Sequence, residues 1–129
     1  MTASNRPSPF AVLVVDDEPL LRMDAMDLAE EAGLRAYEAS NADEAIALLE
    51  KHDDIRILFT DIQMKGSMDG LKLAHAVRNR WPPVRIMVTS GVIEVTEDLM
   101  PENGLFFAKP YPPRFLIETM RNAAAEIVF

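Results

Sequence analysis

The chain has 129 residues, 49% of them hydrophobic and 26% charged, a formal net charge of −8, and no cysteine. That length suits one compact domain with its own core. The acidic balance argues against nucleic-acid binding through phosphate contacts and against anionic membrane surfaces, and the absence of cysteine excludes disulfides, thiolate metal sites and thiol nucleophiles.

Residues 1–9 carry Pro7 and Pro9 and no apolar signal core. They are expected to form a flexible tail ahead of a single domain over 10–129, in a cytoplasmic protein without membrane insertion. Residues 10–15 are a continuous apolar run that ends in Asp16-Asp17-Glu18-Pro19. Such a run suits a strand buried on both faces. Pro19 suits the first turn of a helix, which is expected to reach about Ala32 and to bury Leu21, Ala25, Leu28, Ala29 and Ala32 before Gly33 stops it.

A second short strand is expected over 34–39. Asn41, with Glu44 three places on, resembles a capping box for a helix that buries Ala45, Ile46, Leu48 and Leu49 and ends near His52. The third strand, 56–60, runs straight into Asp61. A loop with Gly66, Ser67 and Gly70 follows, then a helix carrying Leu71, Ala74 and Val77 that halts before Pro82-Pro83. The fourth strand is expected over 84–89. Residues 92–104 are weakly helical, because Val95 and Thr96 are β-branched and Pro101 interrupts, so the fourth helix should be short or irregular. The fifth strand, 105–108, ends at Lys109-Pro110. A fifth helix is expected from Pro112 or Pro113 to about Val128, with Leu116, Met120, Ala123, Ala124 and Ile127 on one side.

Five β-α repeats imply an α/β fold with parallel strands and right-handed crossovers. Parallel strands bring all their carboxyl ends to one edge: Asp16 and Asp17 from strand one, Asp61 from strand three, Thr89 from strand four, Lys109 from strand five. In the flavodoxin-like order 2-1-3-4-5, strands one and three flank the switch point where ligands bind. Three carboxylates there would raise one another's pKa unless a cation intervened. Lys109 supplies one positive charge, and Mg2+, held by carboxylates, waters and a phosphoryl oxygen, would supply the rest. A nucleophilic carboxylate, a metal, a lysine and a hydroxyl together suit phosphoryl transfer. Taken singly, each of these groups is also an ordinary strand-end or capping residue.

At these residues the chain resembles response-regulator receiver domains. The resemblance is carried by Asp16-Asp17, Asp61 with Met64, Met68-Asp69-Gly70, Thr89 and Lys109-Pro110, and covers about residues 10–128. It implies that Asp61 is the phosphoacceptor, taking a phosphoryl group from a phosphohistidine on a sensor histidine kinase or histidine phosphotransfer protein. Mg2+ would be bound by Asp17, Asp61 and the Gln63 backbone carbonyl, with Asp16 contributing largely through water. Thr89 and Lys109 would hold the phosphoryl group, Phe106 would match the aromatic that rotates inward on activation, and the bond to Pro110 would be a candidate cis peptide. Downstream, an unidentified protein would read the switched surface, and a homodimer is compatible with the resemblance.

The chain departs from the pattern at Lys65, where family members usually have proline, and at Ser67, which looks like a one-residue insertion. With no residues left after the last helix for an output domain, a stand-alone switch rather than an enzyme is the leading expectation, although a piece of a longer regulator would read identically. Three alternatives stand beside it. A degenerate receiver would bind partners without phosphorylation, yet all the site residues are present. A Mg2+-dependent phosphatase with an aspartyl nucleophile typically has a second Asp two residues on, where this chain has Gln63. A flavin or nucleotide module would need a glycine-rich cradle after strand one, where this chain is acidic.

Overall fold

The computed structural model describes residues 8–92 and 94–127. Most of the expected tail, Ile93 in the fourth crossover and the expected helix end at Val128 lie outside the described residues.

The elements run β1 (Ala11–Val15), α1 (Pro19–Glu31), β2 (Arg35–Ala39), α2 (Ala42–Lys51), β3 (Ile55–Asp61), α3 (Gly70–Arg80), β4 (Arg85–Ser90), a 3-10 turn (Glu97–Leu99), β5 (Leu105–Ala108) and α4 (Pro113–Glu126). The strands form one sheet in the order β2-β1-β3-β4-β5, every pair parallel. Among the described residues the expected architecture is present with four α-helices rather than five. Where a fourth crossover helix was expected, the described residues hold only the three-residue 3-10 turn. Val95 and Thr96 disfavour helical rotamers, and Pro101 can neither donate to nor fit inside a continuing helix.

Alternate residues of each central strand face opposite sides. Val12, Val14, Ile57, Phe59 and Met87 pack with Ala25 and Ala29 of α1 and Leu116 and Met120 of α4. Leu13, Val15, Leu58, Ile86 and Val88 pack with Ala45 and Leu49 of α2 and Leu73, Ala74 and Val77 of α3. Because both faces are covered, β1 is apolar throughout and every residue of it is buried.

Helix starts follow local chemistry. The Asn41 side chain accepts from Glu44 N at 2.9 Å, as the capping signal predicts. The reciprocal half is displaced by one residue: Glu44 Oε1 accepts from Ser40 N at 2.8 Å. Asp69 caps α3, accepting from Lys72 N at 2.9 Å. Gly70 has a stricter reason to be glycine. A Cβ there would lie 1.8 Å from the Asp61 carbonyl oxygen, so the first turn of α3 can sit against the end of β3 only without a side chain. One expected core residue is misplaced: Leu21 is 40% exposed, while Ala25, Ala29 and Ala32 are buried as the spacing predicts.

Candidate functional site

The parallel register brings three strand ends level. Asp61 is opposite Thr89 on β4, and Thr89 is opposite Phe107 on β5. β1 ends one residue before Asp16, so the loop into α1 presents Asp16 and Asp17 beside Asp61. One carboxylate oxygen from each of the three lies within 4.8 Å of the others. Asp16 and Asp61 are buried, and Asp17 is half-buried.

Main-chain bonds lock the scaffold under this cluster. Ile62 N donates to Thr89 O at 3.0 Å and Lys109 N to Ser90 O at 2.9 Å. The Lys109–Pro110 peptide bond is cis. The Lys109 ammonium reaches back over the cluster, 3.4 Å from Asp61 Oδ1 and 3.8 Å from Asp16 Oδ2. Neither separation is a hydrogen bond, and Asp61 Oδ1 is buried without a hydrogen-bond partner. One ammonium therefore serves two buried carboxylates and satisfies neither.

The electrostatics follow. Burial holds the carboxyl of Asp61 above the ordinary aspartate pKa, and the nearby Lys109 charge offsets part of that rise. Asp16 is also raised, first by burial, against a hydrogen bond from Glu18 N and the pull of Lys109. Burial with the surrounding acids pushes the Tyr111 phenol up to about 12. A buried oxygen without a donor, in a concentration of carboxylates under-compensated by one lysine, fits a hard divalent cation such as Mg2+.

The remaining expected residues fall around this centre. Thr89 is buried, and its Oγ1 donates to Phe107 O at 2.7 Å, so in this state the hydroxyl is turned toward β5. Phe106 is half-buried on the opposite face of β5 from Phe107 and lines a groove with Ser90, Gly91, Val95 and Lys109. The Gln63 side chain accepts from Ser90 Oγ at 2.7 Å through Oε1, a contact the sequence did not predict. Sequence reasoning also missed Arg22, whose Nη1 donates to Asp16 O at 2.8 Å while Nε pairs with Glu38 at 2.8 Å. Its position one turn into α1, with Glu38 on the neighbouring strand β2, was the available signal. His52 stacks on Tyr37 and His75 bonds Leu99 O, both away from the acidic edge.

A cavity of about 480 Å³ opens beside the cluster, lined by Leu21, Tyr111 and Pro113 as well as by Asp16, Asp61 and Lys109. The two helices that contribute Leu21 and Pro113 to its lining, α1 and α4, also expose Leu20, Met23 and Phe115 to solvent at 75%, 58% and 56%. No described helix is long and apolar enough to cross a membrane.

The chain matches the family model described as the response regulator receiver domain over residues 12–121. It is 36% identical over 117 residues to the hydrogenase transcriptional regulatory protein HoxA of Cupriavidus necator, covering 87% of this chain and 23% of that one. It is 30% identical to a chemotaxis protein CheY homolog of Campylobacter jejuni, covering 86% of this chain and 89% of the relative. The glycerol metabolism activator of Pseudomonas putida and NtrX of Azorhizobium caulinodans match over 37% and 18% of their lengths, so the chain spans well under half of several relatives. Among solved structures, the receiver domain of NtrX from Brucella abortus superposes with a TM-score of 0.79 at 28% identity, covering 89% of this chain and 98% of that one. A response regulator receiver protein from Sinorhizobium medicae gives 0.81 at 23% identity, over 92% and 97%.

Proposed function

Since the chain belongs to the response regulator receiver domain family of two-component signal transduction, we propose that it is a phosphorylation-controlled switch whose phosphoacceptor is Asp61. The observation that carries this reading is the buried Asp61 carboxylate oxygen with no hydrogen-bond donor, set beside two further acids and one lysine. A deprotonated oxygen of Asp61 attacks the phosphorus of a phosphohistidine, the P–N bond breaks, and the imidazole leaves, giving an acyl phosphate. Asp16, Asp17, Asp61 and the Gln63 carbonyl would hold Mg2+, which when bound offsets the negative charge gathered by the acids and the incoming phosphoryl group.

Lys109, already 3.4 Å from Asp61 Oδ1, is placed to pair with the phosphoryl oxygens. Thr89 is placed one strand away to donate to them if its hydroxyl leaves the Phe107 carbonyl. That exchange would shift the β4–β5 edge and the Phe106 ring beside it, the surface a downstream protein would read. The phosphodonor, a sensor histidine kinase or histidine phosphotransfer protein, must bring its histidine to the cavity mouth. The apolar rim of Leu20, Met23 and Phe115 suits such a docking helix. Gln63 speaks against the phosphatase alternative, because an amide side chain cannot serve as the acid and base that turnover would require.

Intact-mass spectrometry after incubation with Mg2+ and acetyl phosphate tests the assignment. Wild type is expected to gain one phosphoryl group and Asp61→Asn none. Equal gain by both would remove Asp61 from the role.

A further inference from the structure

The loop between β3 and α3 is tied down at two points, by Lys65 and by Ser67. Lys65 N donates to Asp17 Oδ2 at 3.3 Å. Ser67 Oγ donates to Asp43 Oδ1 at 2.7 Å, fastening the loop to the first turn of α2. Gly66, between them at φ +120°, takes a conformation that a side chain would strain and so lets the two tethers point to different elements.

The three acids are held unequally. Asp16 has the Glu18 N–H and the Lys109 charge, and Asp61 has the Lys109 charge. Asp17 lies furthest toward solvent, and among the described residues its carboxylate has one hydrogen-bond donor, the Lys65 N–H. That donor engages Oδ2 and leaves Oδ1 for another partner. We propose that Lys65 is a positioning residue: its main-chain N–H, not its ammonium, orients the Asp17 carboxylate toward a divalent cation, and the Ser67–Asp43 bond keeps that N–H in place. This role rests on the cation site proposed above. Groups that orient a carboxylate ligand commonly contribute to metal affinity, and losing a long, exposed bond of this kind should cost about three- to tenfold. The Lys65 ammonium acts in the opposite sense, since a positive charge near the site disfavours a second cation.

Main chain and side chain are therefore separable by substitution. Lys65→Ala keeps the N–H and loses the charge. Lys65→Pro loses both. Titration calorimetry of the full chain with Mg2+, without any phosphodonor, is expected to give Lys65→Ala an affinity equal to or up to about twofold tighter than wild type. Lys65→Pro should be about three- to tenfold weaker. Equal affinities for the two variants would overturn the role while leaving the cation site standing. Absence of Mg2+ binding by wild type would overturn both. Should Lys65→Pro not fold, Ser67→Ala and Asp43→Ala provide the second test. Each should weaken Mg2+ binding by a similar factor, and the double variant should be no weaker than either single one, because they remove the same bond. Wild-type affinity in both single variants would overturn the proposal.

Discussion

A buried acid with too few donors stores unfavourable energy that can be released by protonation, by neutralising substitution or by a cation. Asp16 and Asp61 both have folded-state pKa values above those of the unfolded chain, burial being the main cause in each. The folded state thus prefers their protonated forms. Their favourable contribution is complete below the unfolded pKa and is lost as pH rises through the folded value. In metal-free protein, Asp61→Asn should raise Tm by a few degrees at neutral pH. That advantage should shrink as pH falls through the raised range and the wild-type acid takes up a proton. Scanning calorimetry in chelator across this pH range checks it. A difference independent of pH would mean that the carboxylate is not strained in the fold. Adding Mg2+ should narrow the gap from the other side, by stabilising wild type.

At the scale of elements, Gly70 joins the helix that follows the site to the strand that carries it. With a Cβ placed 1.8 Å from a main-chain oxygen, neither partner can yield cheaply. Gly70→Ala should cost at least about 2–3 kcal/mol and lower Tm by roughly 10 °C in thermal melts. A melt unchanged within 2 °C or so would show that α3 can slide away from β3. The central strands β1, β3 and β4 were legible in the sequence, because a sheet covered on both faces writes continuous apolar runs ending in polar residues. The acidic cluster was legible for the same reason: parallel strands convert separate runs into one edge. Helix faces were less legible. Leu21 has helical spacing but looks into the cavity rather than the core, while Leu73 and Ile117 are buried and were not singled out. Spacing identifies a face, but what covers that face depends on where neighbouring loops end. Least legible were bonds made by main-chain groups. The Lys65 N–H reaching Asp17 leaves no mark in residue identity beyond the absence of proline.

For the molecule as a whole, four of the seven large apolar side chains exposed among the described residues lie on α1 and α4, the others being Val92, Leu99 and Leu105. Leu20 and Met23 on α1 and Phe115 on α4 form an exposed apolar rim on the two helices whose Leu21 and Pro113 line the cavity, although the chain carries eight more acids than bases. If this rim seats the phosphodonor, Leu20→Lys with Met23→Lys should slow phosphotransfer from the cognate phosphohistidine protein by tenfold or more, as expected for loss of apolar anchors at an interface centre. Transfer from acetyl phosphate, which uses no docking surface, should be unaffected. Equal slowing with both donors would place the defect in the site rather than in docking. Such a comparison also separates the family-level function from the identity of the partner.

If Thr89 takes the phosphoryl-binding role proposed above, its bond to the Phe107 carbonyl makes signalling a competition for one proton. A hydroxyl has a single hydrogen to give, so it serves either the neighbouring strand or a phosphoryl oxygen, never both at full strength. Leaving the carbonyl strands a buried acceptor, at a cost of about 1–3 kcal/mol. That cost weights the resting arrangement by roughly five- to 150-fold, so that a minority of molecules, from around one in six to under one in a hundred, would occupy the other arrangement without any phosphate. Background output in an unstimulated cell would then be set by the strength of one interstrand bond, and tuning that bond would change the noise of the signal as well as its amplitude.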